Sequence, residues 1–278
     1  MAPSPLRSKT TLKHARSSSF PSTSHPIVSQ FDEQLSRVTS SSEATSSSLS
    51  SFTCRLADLD NLMDYTEDLL QLPHIQQAIS LNSDELLDRY LKVLDICATI
   101  KDLLSNEKQN IQDLLSALRR RRIMDDISSY LTSRKESKKT IQKLLKNLKS
   151  MTKENNFASK KPKTSDIVGE LQDVQLVTLG LFMALLSYVN GTGSQSSSWC
   201  LLSKIMPSKS KEVEANEFAN VQIALCSLLS PNKTCKYEGL TSQLRDMEAT
   251  IEVLEDGLEC LFRRLIKARV SLLNILNQ

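Results

Sequence analysis

Apolar side chains recur in steps of three and four residues along most of the chain. The clearest case is the C-terminal stretch, where one stripe contains Leu240, Leu244, Met247, Ile251, Leu254, Leu258, Leu261, Leu265, Ala268, Leu272 and Ile275. This spacing is typical of a long helix that packs its apolar face against other helices. The pattern therefore predicts a long packing helix at the C-terminus and indicates a scaffolding role more than a catalytic one.

The same periodicity predicts further helices upstream. Their predicted ranges are 52–72, 82–119, 126–153, 167–189, 199–206 and 214–229. Pro73 is expected to end the first of these helices, and Asn190 with Gly191 to end the fourth. Aromatic residues make up only 5% of the chain and glycines number six, which suits long helices better than sheets. We predict an all-α protein, an elongated bundle of about six or seven helices.

Composition divides the chain into four regions. Residues 1–51 are rich in serine and poor in large apolar side chains, so burial cannot offset the entropy cost of ordering them. We predict a disordered, serine-rich basic tail there. Residues 52–153 are predicted to form a first helical half, residues 154–165 a basic linker, and residues 166–278 a second half that packs with the first as one bundle.

Two apolar segments allow more than one interpretation. The C-terminal stripe is compatible with a dimeric coiled coil, but few complementary charges flank it, which favours packing inside the chain. Residues 174–189 carry no charge, yet a membrane-spanning helix needs about 20 apolar residues. We interpret this uncharged segment as a buried central helix, with membrane insertion as the weaker alternative.

Positive charge is concentrated between residues 119 and 163, which hold fifteen basic and four acidic side chains, a net charge of +11 in a chain whose total is +3. Three groups supply the candidate residues: Arg119, Arg120, Arg121 and Arg122 at a helix end; Lys135, Lys139, Lys143 and Lys146 on one helix face; and Lys160, Lys161 and Lys163 in the linker. The arginines complement a helix dipole, the lysine face can attract anionic lipid, and the linker group resembles a nuclear-import signal. A solvated face is the simplest alternative. Specific nucleic-acid binding is not expected, because no aromatic residues interleave with the lysines.

The last turns of the chain combine the apolar stripe with a second basic group. Arg263, Arg264, Lys267 and Arg269 crowd the side of the predicted helix that the apolar arc leaves free. A basic amphipathic helix can lie on a membrane or enter a groove of a partner protein. Packing inside the bundle is the simpler interpretation.

A short motif in the serine-rich tail matches a phosphorylation-dependent binding site. Arg16 lies three residues before Ser19, and Pro21 lies two residues after it. This is the spacing of phosphoserine motifs read by 14-3-3 proteins, in which arginines hold the phosphate. The same stretch has no acidic residue before Asp32, so a plastid or mitochondrial transit peptide is the alternative.

The sequence offers little for catalysis or metal binding. Its histidines are His14, His25 and His74, and none has a paired nucleophile or orienting acid at a recognisable spacing. The six cysteines include no CxxC pair, which disfavours zinc and suits free thiols in a reducing compartment. We expect no enzyme activity, no cofactor and no metal. We expect an intracellular protein, cytoplasmic in the first instance, with membrane-peripheral, nuclear and plastid locations as alternatives.

Seven motifs in a fixed order carry a family resemblance. They are HARSSSFPSTSHP (14–26), LLQLPHIQQAIS (69–80), ELLDRYLKVLDICATIKDLL (85–104), LRRRR (118–122), SRKESKKTIQKLLKNLK (133–149), SWCLLSKIM (198–206) and GLECLFRRLIKARVSLLNIL (257–276). In this respect the chain resembles the plant-specific BYPASS-like family, whose molecular function is unassigned and which offers no catalytic residues to carry over.

The resemblance implies a plant protein with a role in root and shoot development. We therefore expect a non-enzymatic helical interaction or regulatory protein that binds protein partners, among them a phosphoserine-binding adaptor. The alternative is a peripheral membrane protein that docks on anionic lipid through the basic third helix or the C-terminal amphipathic helix.

Overall fold

The computed structural model describes residues 25–42, 48–80, 83–120, 124–158, 167–191, 216–229 and 237–277. These residues form eight α-helices and no strand. The helices are α1 (Pro26–Ser42), α2 (Leu49–Leu70), α3 (Pro73–Ser80), α4 (Ser83–Arg120), α5 (Met124–Ala158), α6 (Ile167–Val189), α7 (Glu217–Leu228) and α8 (Tyr237–Leu276). The predicted all-α class is confirmed. The predicted helices agree closely with the observed ones, except that the predicted helix 199–206 lies outside the described residues.

Helix α1 contradicts part of the prediction that residues 1–51 are disordered. It lies within that range, and α2 also begins inside it, so the prediction is wrong for residues 26–42 and 49–51. Phe31 and Val38 of α1 are fully buried at helical spacing against α2 and α6. Arg37 also forms an ion pair of 3.0 Å with Asp58 of α2. The burial of a few regularly spaced apolar side chains offsets the entropy cost of ordering this serine-rich segment, because two other helices cover those side chains.

Two helix boundaries also differ from prediction. Pro73 does not only end α2; it begins the short helix α3, where its missing N–H is not needed. Ile75 and Ile79 of α3 are buried against the rest of the bundle. Helix α5 continues to Ala158, so residues 154–158 are helical and the prediction of a linker there is wrong.

Helix α8 is the central packing element of the bundle. All eleven apolar positions of its predicted stripe are buried, and the helix lies mainly against α4 and α2. Gly257 allows an especially close approach, since a Cβ added there would lie 2.7 Å from Cδ1 of Leu56. The stripe is therefore buried inside this chain, in agreement with the internal-packing interpretation.

Ion pairs form on both sides of α8. Its first half pairs with cations of α4: Lys108 lies 3.1 Å from Glu252 and 3.2 Å from Glu255. Its second half is basic and pairs with carboxylates of α2: Arg264 lies 3.1 Å from Asp60, and Lys267 lies 2.5 Å from Glu67. Partly exposed ion pairs contribute little stability individually, so burial of the apolar stripe remains the main stabilising contribution of α8.

Helix α6 is a second centre of apolar packing in the bundle. It is long and apolar enough to cross a membrane by length and composition, with a mean hydropathy of 1.4, but 56% of that window is buried in the fold. Its buried residues face five other helices, α1 to α5. This packing agrees with the buried-helix interpretation of the uncharged segment.

Candidate functional site

The outward edge of α5 carries a continuous row of lysines, which we call the lysine stripe. Its members are Lys135, Lys139, Lys143, Lys146, Lys149 and Lys153, and all six are exposed. At 100° and 1.5 Å per residue they fall within an arc of about 120° and span about 27 Å of helix. The four lysines predicted from the sequence thus share one face, and two further lysines extend it.

Helix α5 holds the stripe outward because its opposite face is buried. Ile127, Ile141 and Leu148 are separated by multiples of seven residues and are fully buried. They turn that face toward α4 and α6, against which α5 packs. A helix with one buried face must present the remaining face to solvent. The stripe is therefore a consequence of core packing.

The stripe lysines have no ion-pair partner among the described residues. Other cations of the bundle do: Arg89 lies 2.7 Å from Glu85, Lys92 lies 2.7 Å from Asp88, and Arg263 lies 2.8 Å from Glu259. The nearest acid on the exposed side of α5 is Glu136, at the edge of the arc. The charge of the stripe is thus not neutralised locally, and it creates a positive edge along the bundle.

The structure separates the stripe from the predicted arginine cluster. Arg119 and Arg120 are exposed at the C-terminus of α4, where Arg120 donates a hydrogen bond of 2.9 Å to Ser116 Oγ. Lys135 lies eleven positions after Met124 along α5, a distance of about 16 Å, and the exposed acids Asp125 and Asp126 lie in that interval. The basic residues of α4 and α5 therefore do not form one continuous patch.

A buried ion pair anchors α5 to its neighbours. Arg134 and Glu107 are almost fully buried, and Nη1 of Arg134 lies 3.1 Å from Oε1 of Glu107. The guanidinium also donates to the carbonyl oxygen of Val189 at the end of α6 and lies 5.3 Å from the ring centroid of Phe218 in α7. One side chain of α5 thus contacts α4, α6 and α7, and it fixes the rotation of α5 that points the stripe outward.

The amino-acid sequence carries a signal for this pair that the apolar periodicity alone does not reveal. Arg134 occupies the heptad position shared by Ile127, Ile141 and Leu148. Glu107 likewise lies in the series Val93, Ile100 and Leu114, all of which are buried. Two opposite charges inside two apolar repeats indicate a buried pair, since each would be too costly to bury alone.

Lys138 shows that not every lysine of α5 belongs to the exposed edge. It turns toward α7, where its ammonium group donates to Oε1 of Gln222. Burial, followed by the nearby charge of Arg134, lowers the pKa of Lys138. The two side chains line an open cleft of about 430 Å³ with Gly191, Ala219, Ile223, Cys226 and Ser227.

The chemistry available among the described residues is limited. They contain no group of three or more His, Cys, Asp or Glu side chains that could hold a metal ion. His74 is exposed on α3, and His25 accepts a hydrogen bond of 3.3 Å from the backbone N–H of Ile27. Burial raises the pKa of Cys97 to about 12, so this thiol is a packing residue.

The C-terminal helix differs from α5 in how its cations are used. Arg264 and Lys267 are held by carboxylates of α2, and Phe262 packs beneath the ammonium group of Lys101, 4.6 Å from the ring centroid. Ile266 and Val270 stand out as exposed apolar side chains near the end of α8. The basic face of α8 is therefore largely occupied within the bundle.

Several predicted residues lie outside the described part of the chain. They are the tail motif of Arg16, Ser19 and Pro21, the cluster members Arg121 and Arg122, and the linker lysines Lys160, Lys161 and Lys163. The tail and linker interpretations stay predictions.

Comparison with protein families gives a direct result for most of the chain. The family model described as Protein BPS1 matches residues 55–275. The chain belongs to the BPS1 family. The match extends from α2 to α8 and includes the lysine stripe and the buried pair, whereas Ser19 precedes it. The resemblance seen in the sequence motifs is thereby confirmed, and BPS1 membership suggests a role in plant development. No curated protein and no solved structure matches the chain significantly.

Proposed function

We propose that this BPS1-family chain is a non-enzymatic regulatory protein of root and shoot development that acts by docking through the lysine stripe of α5. The observation that carries the proposal is the row of six exposed lysines with no ion-pair partner among the described residues. A bundle that pairs many of its other cations leaves these six available on one edge. Unneutralised charge of one sign on a rigid edge favours association with an anionic partner.

The rigidity of α5 strengthens the proposal. Arg134 binds α5 to α4, α6 and α7 from the buried face of the helix. The helix backbone therefore needs little further ordering when a partner binds, and only the lysine side chains lose freedom. A pre-organised row of charges is better suited to docking than the same lysines on a frayed helix.

Docking on a membrane has two candidate surfaces, the lysine stripe of α5 and the basic C-terminal helix. Of these two surfaces the contacts of the bundle favour α5. Arg264 and Lys267 of α8 would have to leave their α2 carboxylates to reach lipid headgroups, whereas the stripe lysines have no partner to leave among the described residues.

A rescue experiment tests the proposal. A plant line that lacks this protein is complemented with wild type, with Lys139→Glu/Lys143→Glu, or with the matched variant Arg245→Glu/Arg263→Glu on α8. All four substituted side chains are exposed, and both variants change the net charge equally. We expect the α8 variant to restore root and shoot growth and the stripe variant to fail at equal protein level. Full rescue by the stripe variant would contradict the proposal.

A further inference from the structure

We infer that the partner of the lysine stripe is the anionic surface of a lipid bilayer, on which α5 lies with its axis nearly parallel to the membrane plane. The inference rests on the proposed function, since it names the partner of the same surface. It assigns one partner class and one orientation to the six lysines, and both can be measured with the full chain.

The shape of the stripe fits a plane. Six lysines along about 27 Å of a straight helix, within an arc of about 120°, can all reach a flat surface at the same time. Their alkyl stems let each ammonium group extend sideways to the headgroup layer. Each lysine near an anionic membrane contributes about fivefold to partitioning, so the row as a whole supports reversible attachment.

The composition of the stripe favours electrostatic attachment over insertion. The other residues in the same arc between Lys135 and Lys153 are polar: Gln142 and Ser150. Among the described residues, no apolar side chain lies in the arc between Lys135 and Lys153 to enter the hydrocarbon layer, and the exposed Met124 lies about 16 Å before Lys135. Binding through this edge must therefore depend steeply on salt, because the Debye length shortens as ionic strength rises.

The same features disfavour a nucleic acid. The phosphate backbone of a duplex winds around its axis, so a straight row of this length can meet only part of it. The stripe contains no aromatic side chain on which bases could stack and no arginine for bidentate contact with guanine. A plane uses all six lysines, and a duplex uses fewer.

The acidic start of α5 determines the tilt. Asp125 and Glu136 are exposed at the edge of the arc toward the N-terminal end of α5, and an anionic surface repels them. The C-terminal part of the stripe should therefore lie closest to the headgroups. This orientation predicts that Lys149→Glu weakens membrane binding more than Lys135→Glu does, although both substitutions change the charge equally.

Vesicle flotation with the full-length chain tests the inference. The vesicles contain phosphatidylcholine alone or phosphatidylcholine mixed with phosphatidylserine, at low and high salt. We expect wild type to float only with the anionic vesicles and to be released by high salt. Lys139→Glu/Lys143→Glu should reduce partitioning at least about 25-fold, from two lysines at about fivefold each. The matched α8 variant, Arg245→Glu/Arg263→Glu, should bind like wild type, and circular dichroism shows whether each variant is folded.

Each other outcome contradicts a stated part of the inference. Equal loss with the α8 variant would place the membrane contact on the C-terminal helix. Absence of flotation together with stripe-dependent binding of a labelled duplex would assign the stripe to nucleic acid. Absence of both, while the stripe variant still fails in plant rescue, would refute the lipid partner and leave the proposed docking function standing. Equal effects of Lys135→Glu and Lys149→Glu would refute the tilt.

Discussion

Replacement of the buried pair formed by Arg134 and Glu107 is expected to produce a strongly non-additive loss of stability. Arg134→Met leaves the Glu107 carboxylate buried without its cation and removes the donor to the Val189 carbonyl. Breaking a buried ion pair from one side costs about 3–5 kcal/mol, because the remaining charge stays in a medium that solvates it poorly. Glu107→Leu is expected to cost a comparable amount for the same reason.

The double variant Glu107→Leu/Arg134→Met removes both charges at once. The double variant still loses the hydrogen bond to the Val189 carbonyl, which lowers the free energy of unfolding by about 1–3 kcal/mol. This penalty is opposed by the desolvation cost that the two charges no longer impose, which is of similar size. We therefore expect the double variant to lie within about 2 kcal/mol of wild type and well above either single variant.

Urea unfolding of the full chain, followed by helical circular dichroism, measures these differences as midpoint shifts at constant slope. Lys143→Glu is the control, since it reverses an exposed charge on the same helix. If the double variant lost as much stability as the two single variants combined, the pair would not act as a unit and the reasoning would be refuted. If Arg134→Met cost less than about 1 kcal/mol, the anchoring of α5 assigned to this residue would be wrong.

Further predictions concern packing, a thiol and the tail. Gly257→Val should lower the free energy of unfolding by about 1–3 kcal/mol, because the new side chain meets Leu56. Gly180→Ala should raise it by about 0.5–1 kcal/mol, because nothing lies within 4 Å of the new Cβ. A loss of stability at both sites would contradict the packing argument. Burial raises the pKa of Cys97 to about 12, so its thiolate is scarce at about pH 8. N-ethylmaleimide should therefore label the exposed Cys54 and Cys226 before Cys97. Peptide mapping that finds Cys97 labelled equally fast would disprove its burial. A Ser19-phosphorylated tail peptide should retain 14-3-3 protein while the unmodified peptide does not. Equal recovery from both peptides would refute the predicted phosphorylation-dependent binding site.

The helical layout could be predicted because its signals are local and repeated. The α8 stripe keeps one face apolar over the whole helix, and the uncharged run of α6 is typical of a helix that is buried on most sides. Helix α1 could not be predicted from local composition, because its stability depends on helices that are distant in the sequence. Phe31 and Val38 are ordered by contact with α2 and α6, whereas serines dominate the composition around them. Local composition cannot register burial that is supplied by other helices.

The lysine stripe could likewise be predicted only in part from the sequence. Four stripe lysines could be predicted from their spacing, and Lys149 and Lys153 have the same spacing within the predicted helix 126–153. The distinction among the cations of α5 could not be made from charge alone. Arg134 is buried, Lys138 turns into the cleft with Gln222, and Lys139 is exposed, although all three belong to one basic run. Their roles depend on which face α4, α6 and α7 cover.

Proximity labelling in intact root tissue tests the central claim, that the lysine stripe is the docking surface, most directly. The labelling enzyme is fused to wild type, to Lys139→Glu/Lys143→Glu and to Arg245→Glu/Arg263→Glu, expressed at equal levels. We expect wild type and the α8 variant to share one set of neighbours, rich in membrane-associated proteins, and the stripe variant to lose it. Identical neighbours for all three proteins would contradict the claim.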